Sequence, residues 1–113
     1  MSSLKNKVQL IGNVGNDPEV TTLDNGTKVV NLSLATSETY TNKEGEKVTS
    51  TEWHRLVFWN KTAEIVEKFV TKGKQIAVEG KLRTTKSENK DGVTMYNTKI
   101  NCHEIVLLGS KEA

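Results

Sequence analysis

"TEWHRLVFWNKTAEIVEKFVTKGKQIAVEGKLRT", residues 51–84, changes its hydrophobic period twice. From Trp53 to Trp59 the side chains alternate. Leu56 and Phe58 fall on one side, and Trp53, Arg55, Val57 and Trp59 on the other, so the stretch reads as a strand. The period then lengthens. Ile65, Val66, Phe69 and Val70 recur at helical spacing and predict a short helix of about three turns. Asn60 or Thr62 is placed to cap its start. Gly73 stands where a left-handed C-terminal cap is expected, with Lys72 and Lys74 near the negative dipole end. Alternation returns from Gln75. Ile76, Val78 and Leu82 face inward, and Ala77, Glu79, Lys81, Arg83 and Thr85 outward.

Upstream, "KVQLIGNV" puts Val8, Leu10 and Val14 on one face, with Gly12 at a bend or bulge. "GNDPEV" breaks that strand, because Pro18 has no ladder donor. "LDNG" is a turn. In "TKVVNLSLATS", Val30, Leu32 and Leu34 point inward. "TYTNKEGEKVTST" reads as a flexible loop or a long hairpin tip. Downstream, "SENKDG" is a second hairpin tip with Asp91-Gly92 as its turn. "VTMYNTKINCHEIVLL" is the last strand, broken near Asn101. The fold class is mainly β, with five strands and one helix between the third and fourth. That is the order of an OB-fold, a five-stranded Greek-key barrel whose members bind oligonucleotides or oligosaccharides, and it is an order that other small α+β folds share.

At 113 residues one domain is expected, spanning 1–109, followed by a short tail at 110–113. The formal net charge of +2 is too small to establish a nucleic-acid partner by itself, so the distribution of charge decides. Cys102 is the single cysteine, which excludes an internal disulfide and fits a reducing cytoplasm. No stretch resembles a signal peptide or a membrane span. One cysteine and two histidines, without CxxC or HxxxH spacing, cannot assemble a structural zinc site. Gly12 and Gly15 lie between strands, not ahead of a helix, so no phosphate loop is present. No nucleophile signature appears. The reading is a non-enzyme that needs no metal and no cofactor.

The aromatics carry more information. They are Tyr40, Trp53, Phe58, Trp59, Phe69 and Tyr96. Phe58 and Phe69 share faces with core residues. With Leu56 and Phe58 inward, alternation turns Trp53, Arg55 and Trp59 outward. Two readings follow. The indoles are covered by a subunit or a loop, as in a protein-interaction module. Alternatively, they stack the bases of single-stranded nucleic acid, while arginine and lysine hold the phosphates. The central loop supplies Lys43 and Lys47 for that second role, the start and end of the helix Lys61, Lys72 and Lys74, and the fourth strand Lys81, Arg83 and Lys86.

"NKVQLIGNVGNDPEV", "ATSETY", residues 51–84 and "YNTKI" resemble, in order and spacing, the bacterial single-stranded DNA-binding protein family. The resemblance runs from about residue 6 to 108, with "GNVGNDPE", "TEWHR" and "VEGKLRT" as its specific motifs. It implies an OB-fold homotetramer that coats single-stranded DNA in replication, recombination and repair, in the cytoplasm at the nucleoid. The expected nucleic-acid contacts are Tyr40, Trp53 and Trp59 as stacking platforms, and Arg55, Lys7, Lys43, Lys61, Lys72, Arg83 and Lys86 as phosphate partners. His54 matches a residue of the subunit interface.

Two departures stand out. Where the family carries a further tryptophan on the fourth-strand hairpin, this chain has Ser87, and Thr85 replaces a basic residue. That predicts weaker binding per subunit or a shifted path, with Tyr96 as a substitute platform. The family's long tail with an acidic tip does not follow "LLGSKEA" in this sequence, which fits either a shortened chain or a tailless member such as one borne by a phage or mobile element. Tail-mediated recruitment of replication and repair enzymes therefore has no basis in residues 110–113.

Overall fold

The computed structural model describes residues 5–108, so the expected tail at 110–113 lies outside the described residues. The chain forms β1 (Val8–Val14), β2 (Glu19–Thr22), β3 (Lys28–Thr41), β4 (Lys47–Trp59), α1 (Asn60–Phe69), β5 (Gln75–Glu88) and β6 (Thr94–Leu107). The strands lie in the order β1-β5-β6-β4-β3-β2, and β1 also pairs with β3. That extra pairing closes β1, β5, β6, β4 and β3 into the five-stranded OB-fold barrel, with α1 between β4 and β5. Closure requires Gly12. A Cβ there would overlap the Ala35 carbonyl oxygen, where β1 passes from β5 onto β3.

The sixth strand, β2, was not expected. The chain does break after β1, which ends at Val14, but past Pro18 Glu19–Thr22 pairs with the edge of β3, from Glu19↔Asn31 to Thr22↔Lys28. All four residues of β2 are exposed, so they carry no inward–outward alternation to read.

The polar stretch at residues 39–51 is mostly strand. β3 and β4 pair without a break from Val29↔Trp59 to Thr41↔Lys47. The result is a long arm that projects beyond the barrel, closed by a tip at residues 42–46. The Asn42 carboxamide accepts N–H groups from Glu44 (3.0 Å) and Glu46 (2.9 Å). β5 and β6 form a second arm, and Asn89 clasps its tip in the same way, through Asp91 and Val93 (both 2.9 Å). The side chain supplies the turn's acceptor, so a short polar sequence closes each ribbon. β4 and β6 run parallel at Leu56↔Ile100, so both arms leave the same end of the barrel.

The core holds Val14, Val30, Leu32, Leu34, Leu56, Phe58, Val66, Val70, Ile76, Val78 and Ile100, with α1 packed on β3, β4 and β6. Several sequence expectations are corrected here. The buried stripe is Ala63 and Val66 of α1, continued by Val70 at its C-terminal cap. At about 100° per residue Ile65 and Phe69 fall at the flank of that stripe, and Phe69 is 58% exposed rather than core. Leu82 is 50% exposed, because the β1–β5 ladder ends at Val8↔Gly80, two residues before it. Val57 does point outward, yet it is buried, flanked in register by Asn31 and Asn101. Neither Asn60 nor Thr62 caps the helix. Asn60 adopts φ 55°, a left-handed turn that asparagine tolerates, and the Thr62 hydroxyl donates to the Trp59 carbonyl at 2.8 Å. Gly73 is left-handed (φ 92°) but lies beyond the helix end, in a turn whose N–H donates to the Val14 carbonyl. β6 is not broken at Asn101. A bulge between Glu79↔Glu104 and Gly80↔Cys102 leaves His103 as the extra residue.

Candidate nucleic-acid interface

Alternation along the central strands builds one outer face. On β4 it carries Trp53, Arg55, Val57 and Trp59, opposite Ala35, Ser33, Asn31 and Val29 of β3. On β5 and β6 the same face carries Arg83 and Thr85, opposite Lys99 and Asn97. A groove runs across it in three linked depressions. The first lies between Arg55 and Lys99, with Asn16, Asn31 and Ser33 on its walls and Glu19 as its acidic residue. The second lies between Trp59, Arg83 and Lys99, with Val57, Asn31 and Asn101 beside them. The third continues past Trp59 to Lys61 and Lys81.

The indoles are presented rather than buried: Trp53 is 63% exposed and Trp59 43%. Trp53 has a built seat. The space a side chain would fill at Gly15 is occupied by the edge of its ring, with the Ser33 hydroxyl also adjoining. The rest of "GNVGNDPE" fixes that seat. Gly15 N–H donates to the Ser33 carbonyl (2.9 Å), and Asn16 Oδ1 accepts both the Ser33 N–H (2.7 Å) and its hydroxyl (2.6 Å). Asp17 Oδ1 accepts the Lys72 N–H at 3.1 Å, and the Asn13 amide donates to the Gly73 carbonyl at 3.2 Å. The motif thus ties the loop after β1 to the turn after α1 and holds a flat surface under one indole.

Of the expected contacts, Trp53, Arg55, Trp59, Lys61 and Arg83 share this face or its groove. Lys72 is joined to the near end only through its backbone bond to Asp17. The others lie elsewhere. Tyr40 pairs with Val48 on the opposite face of the β3–β4 arm, five residues beyond Ala35, or about 17 Å along the strand. Lys43 sits at the arm's tip. Lys86 pairs with Tyr96 on the reverse of the other arm, so Tyr96 does not stand beside Ser87 on the groove face. Lys7 lies on the β1–β5 side, with its ammonium 3.7 Å from Glu79. His54 is half-buried on the inner side of the β3–β4 arm, hydrogen-bonded to the Thr36 hydroxyl at 2.9 Å.

Sequence reasoning missed Lys99, Asn31 and Asn101. Lys99 is a lone lysine in the last strand, and only its register against Arg83 and its neighbour Arg55 make it central. Among the described residues the ion pairs are Lys7–Glu79, Lys28–Glu67 and His103–Glu79, so none engages Arg55, Arg83 or Lys99.

Away from the groove, Glu79, His103 and Glu104 bring ligand atoms within 4.8 Å of one another, the one group among the described residues that could hold a metal ion. Glu79 is already engaged. It accepts the Gln9 amide (2.8 Å) and bonds His103 Nε2 (3.0 Å), and these with Lys7 hold its carboxyl below the ordinary carboxylate range. Cys102 lines the far depression, but burial pushes its thiol up to about 12. A thiol so raised is a poor nucleophile.

With this geometry established, comparison with known proteins places the chain. The model of the "Single-strand binding protein family" matches residues 5–108. The chain belongs to the single-strand binding protein family. It is 47% identical over 113 residues to "Single-stranded DNA-binding protein 1" of Xylella fastidiosa (strain 9a5c), covering 99% of this chain and 82% of that one. It is 44% identical over 109 residues to the protein of the same name from Chlorobaculum tepidum, covering 96% and 67%. Among solved structures, "Plasmodium falciparum SSB complex with ssDNA" superposes with a TM-score of 0.85 at 31% identity, covering 96% of this chain and 98% of that one. The family resemblance and the OB-fold expected from the sequence both hold.

Proposed function

We propose that this chain binds and coats single-stranded DNA along the groove of its outer face, without sequence preference and without catalysis. Its relatives are named single-stranded DNA-binding proteins, and the similar solved structure is described as an ssDNA complex. One observation carries the placement. Two exposed indoles flank a groove whose arginines and lysines form no ion pair with any carboxylate among the described residues. Each indole offers a π-face to any base, and base–aromatic stacking contributes about 1–3 kcal/mol per base. Trp53 and Trp59 lie six residues apart on one strand, about 20 Å, so they take separate bases. Arg55 and Arg83 hold phosphates between them, and Lys61 extends the track past Trp59. Such contacts read the backbone and the ring faces but not base edges, which makes the binding sequence-tolerant.

The setting is that of the family: replication, recombination and repair, in the cytoplasm at the nucleoid, as a homotetramer. Among the described residues no helix is long and apolar enough to cross a membrane. His54 belongs to a subunit contact in this reading, Tyr40 and Lys43 meet the DNA only where it continues onto the β3–β4 arm, and Lys86 only where it turns onto the reverse of the β5–β6 arm.

Titration with oligo-dT tests the proposal. Tryptophan emission should quench on binding, and affinity should fall steeply with salt. Unchanged emission together with no gel shift at low salt overturns it. Trp53→Ala separates stacking from an interface role. Lost DNA binding with the oligomer intact supports stacking, whereas collapse to monomers assigns the indole to a subunit contact.

A further inference from the structure

Beyond Arg83 the groove face of β5 continues as Thr85 and Ser87, which offer neither charge nor ring. The partner strand is different. In register β6 sets Lys99 across from Arg83, Asn97 across from Thr85 and Met95 across from Ser87. Lys99 lines both the depression beside Arg55 and the one beside Trp59 and Arg83. It is the one basic residue common to the two. Met95 is 47% exposed on a projecting ribbon, beyond the reach of the core, opposite a side chain small enough to leave its thioether open. A flexible, polarisable thioether packs favourably on aromatic rings.

We infer that β6, not β5, carries the nucleic acid from the barrel onto the β5–β6 arm, with Lys99 as the central phosphate contact and Met95 as an apolar platform for a base. This rests on the groove being the single-stranded DNA site. It gives the strand a defined path: from the Arg55 end, across Lys99 between the two arginines, then along Asn97 to Met95. The reverse side of the arm, with Lys86 and Tyr96, is left out of that path.

The test uses the full chain and oligo-dT. Lys99→Ala should lower the slope of log affinity against log salt by about 0.7, the loss of one single-strand phosphate contact, with the affinity difference closing at high salt. Met95→Ala should weaken binding several-fold at every salt concentration, and Met95→Phe should restore or exceed the parent affinity by supplying a ring. Lys68→Ala, on the outer side of α1, is the control and should change nothing. Matching melting temperatures confirm that these exposed changes leave the fold intact. An unchanged salt slope in Lys99→Ala overturns the central contact. A neutral Met95→Ala with no gain from Met95→Phe overturns the path along the arm. If the parent chain itself fails to bind oligo-dT, the groove reading falls and this inference with it. That result is distinct from a binding parent with indifferent variants.

Discussion

The barrel has two outer faces that differ in how their charges are arranged. On the Trp53 face, Arg55, Arg83 and Lys99 stand among rings and amides, and no ion pair of the described residues reaches them. On the Gln9 face, Lys7 meets Glu79, which also takes hydrogen bonds from Gln9 and His103, and Ile11, Ala77 and Val106 lie around them. The first face keeps cations ready for an anion from outside. The second pairs Lys7 and His103 with Glu79 and leaves apolar area beside them. Lys7 was expected to hold phosphate. Its pairing with Glu79 sorts it with the second face.

The comparison breaks most severely if the rings are removed. Trp53→Ala with Trp59→Ala should cost about 2–6 kcal/mol of oligo-dT affinity, the sum of two stacked bases. Fluorescence is lost with the indoles, so a gel shift or calorimetry must measure it. Loss confined to binding, with size in light scattering unchanged, keeps the rings on the DNA face. Next comes Gly15→Leu, which leaves both rings in the chain but fills the seat under Trp53. The indole must swing out, and affinity should fall roughly tenfold, toward the cost of losing one platform. Quenching by DNA should fall with it. If Gly15→Leu binds as well as the parent, the seat does not position the ring.

A smaller effect separates the faces by charge alone. Arg55→Ala with Arg83→Ala should lower the salt slope by about 1.4, two single-strand phosphates, while Lys7→Ala leaves the slope where it was. A Lys7→Ala slope change as large as that of either arginine would erase the distinction between the faces.

Much of this division was legible in residues 51–59, since alternation alone sent Leu56 and Phe58 into the core and turned Trp53, Arg55 and Trp59 outward. The helix was legible by its period, but not its bare flank: Phe69 is apolar and helically spaced, and only the position of α1 on the barrel leaves it in water. β2 was not legible, because four exposed residues carry no alternation. Lys99 and Lys7 failed for one reason. A lysine's role depends on its cross-strand neighbours, and those come from register over a long sequence distance: Arg83 across from Lys99, and Glu79 beside Lys7. Tyr40 was misplaced for a different reason. With Val30, Leu32 and Leu34 inward, unbroken alternation along β3 sends Tyr40 to the side away from Ala35 and Trp53, but its polar surroundings read as a loop and hid that the strand continues to Thr41.

The smallest expected effect concerns the second face alone. Gln9, His103 and Lys7 hold the Glu79 carboxyl below its ordinary value of 4.5. A carboxyl depressed in the folded state adds stability that is present above its unfolded value and is lost as pH falls through the folded one. The parent should therefore lose thermal stability on acidification below about pH 4.5 more steeply than Glu79→Gln, which has no proton to gain. Because the group is open to solvent the difference is a minor one, read as a gap in melting temperature that narrows with acid. DNA affinity near neutral pH should be equal in the two proteins, since Glu79 is not on the Trp53 face. A Glu79→Gln variant that bound oligo-dT more tightly, with a steeper salt slope, would show Lys7 released toward phosphate, and would move the edge of the DNA surface across the barrel to include it.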